Sequence, residues 1–206
     1  MTTAASPASQ ASSFPFDFAP TPTQDAEFLR QLSFVPGLKE LLTLRQVHAL
    51  EHATVWVLSD SGNGSGQGAD NELLGGMSTD QGFYLYGRVN TAQLQRAANQ
   101  ALQRLQRGEW DLAVHPRCGT NLSVGMLLTA GLAVGIHVLL PRGPILQLLG
   151  LGVAATAAAQ LAPDLGRVAQ RYLTTAIPFN LAVAEISLTQ DIWGRSAHFV
   201  RVQWVE

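Results

Sequence analysis

The chain has 206 residues, room for one compact domain plus appendages, and is nearly neutral, with thirteen Lys+Arg against fifteen Asp+Glu and a net charge of −2. With no basic run or stripe it lacks the electrostatic footprint of a nucleic-acid binder. A single cysteine, Cys118, excludes an intrachain disulfide and points to a reducing compartment.

From Met1 to about Thr23 the chain is Ala, Ser, Thr, Pro and Gln with a few Phe. It is too poor in aliphatic side chains to offset the entropy of ordering it, and it reads as a disordered leader. Nothing in the first thirty residues has the basic start and apolar centre of a signal peptide. Asp25 to Leu32 reads as a short amphipathic segment closed by Pro36-Gly37. Leu38 to Leu58 then carries Leu41, Leu44, Val47, His48 or Leu50, Val55 and Leu58 at helical spacing, which predicts a helix through most of it. Ser59 to Gly76, with its Ser-Gly-Asn-Gly-Ser-Gly-Gln-Gly run, predicts a surface loop away from any chemistry.

Gly82 to Val89 is short and aromatic, the pattern of a strand, and Asn90 with Gln93 suits a capping box for a helix reaching about Arg107. Trp110 to Val114 reads as a returning strand, which would complete a βαβ unit. Asn121 to Leu140 is twenty residues without a formal charge apart from His137. At 1.5 Å per residue it is long enough to cross roughly 30 Å of hydrocarbon. Pro141-Arg142-Gly143-Pro144 forces a turn, and Ile145 to Ala162 is again uncharged.

Small residues four apart, Gly131 with Gly135 and Ala154 with Ala158, suit close helix packing in lipid. Arg104, Arg107 and Arg117 precede this hairpin and Arg167 and Arg171 follow it, so the positive-inside rule puts both flanks in the cytoplasm. A buried helical pair in a soluble core is the competing reading, favoured by Gln147 and Gln160. Leu181 to Leu188 and Ala197 to Val205 read as strands around a Trp193-Gly194 turn.

The expected architecture is α+β: a small cytoplasmic-side α/β domain interrupted by a two-helix transmembrane hairpin and ending in a β-hairpin. Its parts are a leader over 1–27, a metal-motif region over 28–120, the hairpin over 121–162 and a terminal β element over 163–206 that packs on the α/β region. The expected location is integral to the membrane, with the lipid bilayer as partner and no nucleic acid.

Two stretches carry chemistry. On the predicted helix, His48-Ala-Leu-Glu51-His52 puts two imidazoles four apart, on one face and about 5–6 Å apart at Cβ, within reach of one ion. The order is that of the inverted zincins, in which the acid between the histidines activates water as general base. His115-Pro-Arg-Cys118 adds an imidazole and the only thiol in a tight turn, donors of the kind zinc prefers. The expected site therefore has a divalent metal, zinc by its donors, held by His48, His52, His115 and Cys118, with Glu51 catalytic. Each also has a plain structural role open to it: surface hydrogen bonding for the histidines, a small buried residue for Cys118. Gly119 and Thr120 suit a helix start whose N–H groups receive an anion, though simple capping by Thr120 is the competing role. Arg117 is either an anion partner or an interface anchor. His137 and His198 have no donor beside them in sequence.

The segments His48-Ala-Leu-Glu-His52-Ala and His115-Pro-Arg-Cys-Gly-Thr120 resemble the paired signatures of the YqhQ-like family, bacterial membrane proteins of unknown function regarded as predicted metal-dependent enzymes. Leu173-Thr-Thr175, Pro178 and Val183 to Ile186 extend the resemblance in patches from Arg45 to Ile186. It implies His48, Glu51, His52, His115 and Cys118 as the functional positions and supplies no substrate. The chain is shorter, has His-Ala-Leu-Glu where that family has His-Gly-Ala-Glu, carries a Gly-rich loop and has one hairpin. Those departures are what a sister family of unknown function, seen mainly in photosynthetic bacteria, would show.

Three functions follow: a metal-dependent hydrolase at the membrane surface, a closed four-ligand structural zinc site in a scaffold or assembly factor, or a reactive Cys118 thiol whose pKa is lowered by His115 and the helix start.

Overall fold

The computed structural model describes residues 20–62, 73–141 and 143–205. Most of the expected leader, and the Gly-rich run at 63–72, lie outside the described residues. A short helix, α1 (Gln24–Gln31), starts inside the stretch read as leader. It is tied down where Gln46 Nε2 donates to Asp25 Oδ2 at 2.6 Å.

The axis of the fold is α2 (Leu38–Gly62). Val47, Ala49, Leu50, Ala53, Val55, Val57 and Leu58 are all buried, so this helix is enclosed from several sides rather than along one stripe. Leu41 and Leu44, expected in that stripe, are instead exposed, at the wall of a cavity beside α2.

Strands β1 (Gly75–Thr79) and β2 (Gly82–Tyr86) form an antiparallel hairpin. The expected loop thus gives way to helix at its start and to strand at its end. Helix α3 (Thr91–Gln106) follows, its N-terminus capped by the Asn90 side chain accepting from Ala92 N–H at 2.8 Å. It packs Leu94, Ala97, Ala98, Ala101 and Leu105 inward.

Trp110–Ala113 is a turn of 3-10 helix and not the returning strand, so there is no βαβ unit. The last strands, β3 (Leu181–Gln190) and β4 (Ser196–Trp204), complete a four-stranded antiparallel sheet of order β1-β2-β4-β3. Phe83 of β2 pairs with Val200 of β4, both fully buried against the helices. The C-terminal strands are therefore part of the same sheet as the early hairpin, and one core joins Val47, Leu50, Phe83, Leu94, Leu181 and Val200.

Between these halves stand α4 (Gly119–Leu139) and α5 (Pro144–Ala169), two adjoining helices each long and apolar enough to cross a membrane. No residue of α4 is buried, and Leu122, Met126, Leu127, Val134 and Val138 are exposed. Close approach of the pair comes from Gly150, Ala154, Ala158 and Gly166 of α5, all buried. A Cβ on Gly166 would collide with Asn121, and one on Gly150 with Ile136. Ala154 and Ala158 act as expected, whereas Gly131 and Gly135 face open space, so the glycine pair of α4 is not the contact. The end of α5 widens into a π-helical turn, Gln170–Thr174, a distortion that often marks functional sites.

Candidate metal centre

Three ligand atoms, from His48, His52 and Cys118, lie within 4.8 Å of one another, close enough to share one metal ion. His48 and His52 are one helical turn apart on α2, their ring centroids 4.4 Å apart. Cys118 comes from the loop before α4, its Sγ 3.3 Å from His48 Nε2.

Both imidazoles are oriented by backbone. His48 Nδ1 lies 2.9 Å from the Thr174 carbonyl and His52 Nδ1 2.7 Å from the Ala113 carbonyl. A carbonyl only accepts, so in each ring Nδ1 carries a proton, and in the neutral ring Nε2 is the atom left to bind a metal. This is the outer-shell arrangement that metal-ligating histidines use. Burial, with the charge of His48 adding to it, lowers the His52 pKa to about 3, so this ring is neutral at physiological pH.

The loop bearing Cys118 is clamped to α2 and to the apolar helices. Trp56, four residues beyond His52, donates from Nε1 to the Val114 carbonyl at 3.0 Å. Gln170 is fully buried in the π turn. It accepts from His115 N–H at 2.8 Å and donates from Nε2 to Asn121 Oδ1 at 2.7 Å. Arg45 Nη2 donates to the Thr175 and Tyr172 carbonyls at 3.0 and 3.3 Å, tying α2 to the chain beyond α5.

Cys118 is the N-cap of α4, its sulfur accepting from Thr120 N–H at 3.4 Å. Capping therefore falls to Cys118 and not to Thr120, whose hydroxyl lies 3.3 Å from that sulfur and 3.2 Å from Thr174 Oγ1. Burial pushes the Cys118 thiol pKa up, against the lowering effect of the Thr120 contacts. The expectation of a thiol activated by His115 and the helix start thus meets the opposite shift, and the imidazole at the sulfur is that of His48.

The trio does not include His115. Its ring packs against His52 and Trp56, with centroids 5.6 and 4.9 Å away, and its Nδ1 accepts from Arg117 N–H at 3.3 Å. Arg117 lines the same cavity and donates to the Leu74 carbonyl at 3.3 Å. His137 sits 3.3 Å from Gln147 Oε1 and His198 3.1 Å from Thr91 Oγ1, and neither lines the cavity of the trio.

Glu51 is 8% exposed and accepts a hydrogen bond from the Ser78 hydroxyl on β1. Burial raises its pKa despite that bond and the charge of His48. Gly76, also on β1, lies so close that a Cβ there would overlap the Glu51 carboxyl. His48, Glu51, His52 and Cys118 all line one cavity of about 550 Å³. Ser78, Gly76 and Gln170 belong to neither motif and carry no sequence signal of their own, and Thr174 lies within the Leu173-Thr-Thr175 stretch of the resemblance.

The family model described as Domain of unknown function (DUF6391) matches residues 43–186, which include both motifs and both apolar helices. An uncharacterized protein of Picosynechococcus sp. is 53% identical over 189 residues, covering 91% of this chain and 92% of its own length. No solved structure matches.

Proposed function

Given that the chain belongs to the family described as a domain of unknown function (DUF6391), we propose that it is a membrane-embedded, metal-dependent hydrolase of ester or amide bonds. His48, His52 and Cys118 hold the cation in this reading, and Glu51 is the base. The observation that carries it is a three-donor cluster opening on a cavity of about 550 Å³. Three protein ligands with a further position left for water or substrate are the pattern of catalytic zinc, whereas structural zinc closes all four. Among the described residues three donors group this closely, His48, His52 and Cys118, and that number favours the open site over the closed scaffold site.

Two nitrogens and a sulfur suit zinc. A bound cation supplies a Lewis acid that acidifies water and polarises a carbonyl. The chain's own part is proton handling and shape. Glu51, a buried carboxyl whose pKa burial raises, is a stronger base than an ordinary carboxylate and lines the cavity that would hold the attacking water. In hydrolysis the water oxygen bonds to the acyl carbon, the bond to the departing oxygen or nitrogen breaks, and Glu51 returns the proton to that leaving group. Ser78 holds the carboxylate in place, and the lack of a side chain at Gly76 leaves room for it.

Placement in the bilayer, as the partner of α4 and α5, is supported by the absence of buried residues on α4, which a core helix of a soluble protein would have. Arg117 before α4 and Arg167 and Arg171 at the end of α5 favour the cytoplasmic side for both flanks. The resemblance of the two motifs to YqhQ-like signatures adds the expectation of a metal-dependent enzyme.

The test is metal analysis of the full chain in detergent, beside p-nitrophenyl acetate hydrolysis. Glu51→Gln should keep the zinc and abolish turnover. Loss of zinc in Glu51→Gln, or undiminished turnover, would overturn the assignment of Glu51.

A further inference from the structure

Resting on the hydrolase reading, we propose that the substrate is an acyl ester or amide whose hydrocarbon chain enters the site from the bilayer, over Leu41, Leu44 and Leu173. The cavity is mixed in its chemistry. One part of its lining is the donor trio with Glu51, and another is these three leucines. They are 53%, 36% and 71% exposed, large apolar side chains left open beside a polar catalytic centre.

Their position explains the exposure. Leu173 lies in the π turn that continues α5, and the next residue, Thr174, supplies the carbonyl that orients His48. Cys118 caps α4, so the ligand set begins where an apolar helix begins. One turn further, Leu122 is 69% exposed on α4. A site at this junction meets lipid on one side and water on the other. Leucines at its rim are costly facing water and well matched to an acyl chain. A small polar substrate would gain nothing from them. Esters and amides of fatty acids present both halves: a chain for the rim and a carbonyl for the metal and Glu51.

The probe is a set of alkyl hydroxamates, which chelate metal through the head and vary only in the tail. The full chain, cobalt-loaded in phosphatidylcholine nanodiscs, is titrated with aceto-, butano- and hexanohydroxamate, following the cobalt absorption. Each methylene buried against the rim should tighten binding by up to about fourfold. With four more methylenes, hexanohydroxamate should therefore bind up to about two-hundredfold more tightly than acetohydroxamate. In Leu41→Ser/Leu44→Ser/Leu173→Ser that gain should fall below about tenfold, with the cobalt spectrum before titration unchanged. If the triple variant does not load cobalt, Leu173→Ser alone, at the most exposed of the three positions, is used and should show a reduced gain. No gain with chain length in the parent chain, or the same gain in the variant, would overturn the substrate class while leaving the metal site standing. If the parent chain takes up no cobalt, or acetohydroxamate leaves its spectrum unmoved, the hydrolase reading itself falls and this proposal with it.

Discussion

The Thr174 carbonyl, at the end of the helix that returns from the apolar hairpin, accepts from His48 Nδ1 at 2.9 Å across 126 residues of sequence. A candidate metal ligand on the central helix is thereby aimed by backbone at the end of the second apolar helix. The positions of α4 and α5 and the geometry of the trio are coupled through this bond, through Gln170 and through the Cys118 cap.

Gln170→Ala removes the partners of His115 N–H and Asn121 from a fully buried place. A buried group left without its partner costs about 1–3 kcal/mol, so the variant should be less stable by at least that amount and bind zinc more weakly. Thermal unfolding by circular dichroism and a zinc titration check both. Unchanged zinc affinity would show that the clamp does not position Cys118.

Gly76→Ala places a methyl group where the Glu51 carboxyl stands. The carboxyl must move and lose its Ser78 contact, so ester turnover should drop by at least tenfold, the low end of what a general base contributes in enzymes (about 10²–10⁴-fold) allowing for partial rescue. Zinc content should stay at the parent level. Ser78→Ala should give a milder loss of the same kind, which pH–rate profiles of the two variants would reveal.

The His52 imidazole has its pKa depressed to about 3 in the folded chain, from an ordinary value of 6.5. Its unfolded form binds a proton that its folded form refuses, so stability rises with pH through this window. The contribution is fully present above about pH 6.5 and is lost as pH falls toward 3. In the metal-free protein His52→Gln should flatten this acid limb in unfolding experiments run from pH 7 to 4. An unaltered limb would mean that another group governs it.

Asp191 sits in the β3–β4 turn. Burial alone would raise its carboxyl, but Tyr86 Oη at 2.7 Å, the Trp193 and Arg195 N–H groups at 2.9 Å each and the Arg195 guanidinium hold it at about 2. The depressed pKa gives stability that is present above about pH 4 and lost between 4 and 2. Trp193 fluorescence should report a transition there in the parent chain, and Asp191→Asn should lack it.

Much of this arrangement was legible in residue types. Two histidines four apart in a helical pattern had to share a face, and the only thiol stood beside the second imidazole, so convergence of α2 with the loop before α4 followed from donor chemistry. The apolar helices declared themselves by length and lack of charge. What escaped was carried by backbone or by tertiary enclosure. The Thr174 and Ala113 carbonyls have no sequence signature. His115 has the same donor chemistry as His52, and its place beside Trp56 is set by tertiary packing that spacing does not reveal. Trp110–Ala113 was too short for periodicity to separate a strand from a 3-10 turn. Gly75 and Gly76 looked like the tail of a flexible run, yet pairing with Tyr86 and Leu85 makes them a strand, and the missing side chain is what admits Glu51. Leu41 and Leu44 fitted a helical stripe, but a stripe does not say whether anything lies against it.

Cobalt substitution in the full chain, with each donor removed in turn, reaches the central claim most directly. The parent should show one thiolate-to-metal charge-transfer band. That band should vanish in Cys118→Ala and in the double variant His48→Ala/His52→Ala, and persist at near-parent strength in His115→Ala. A band abolished equally by His115→Ala would contradict the account, because the cation would then be closed by four protein ligands with no position left for a substrate.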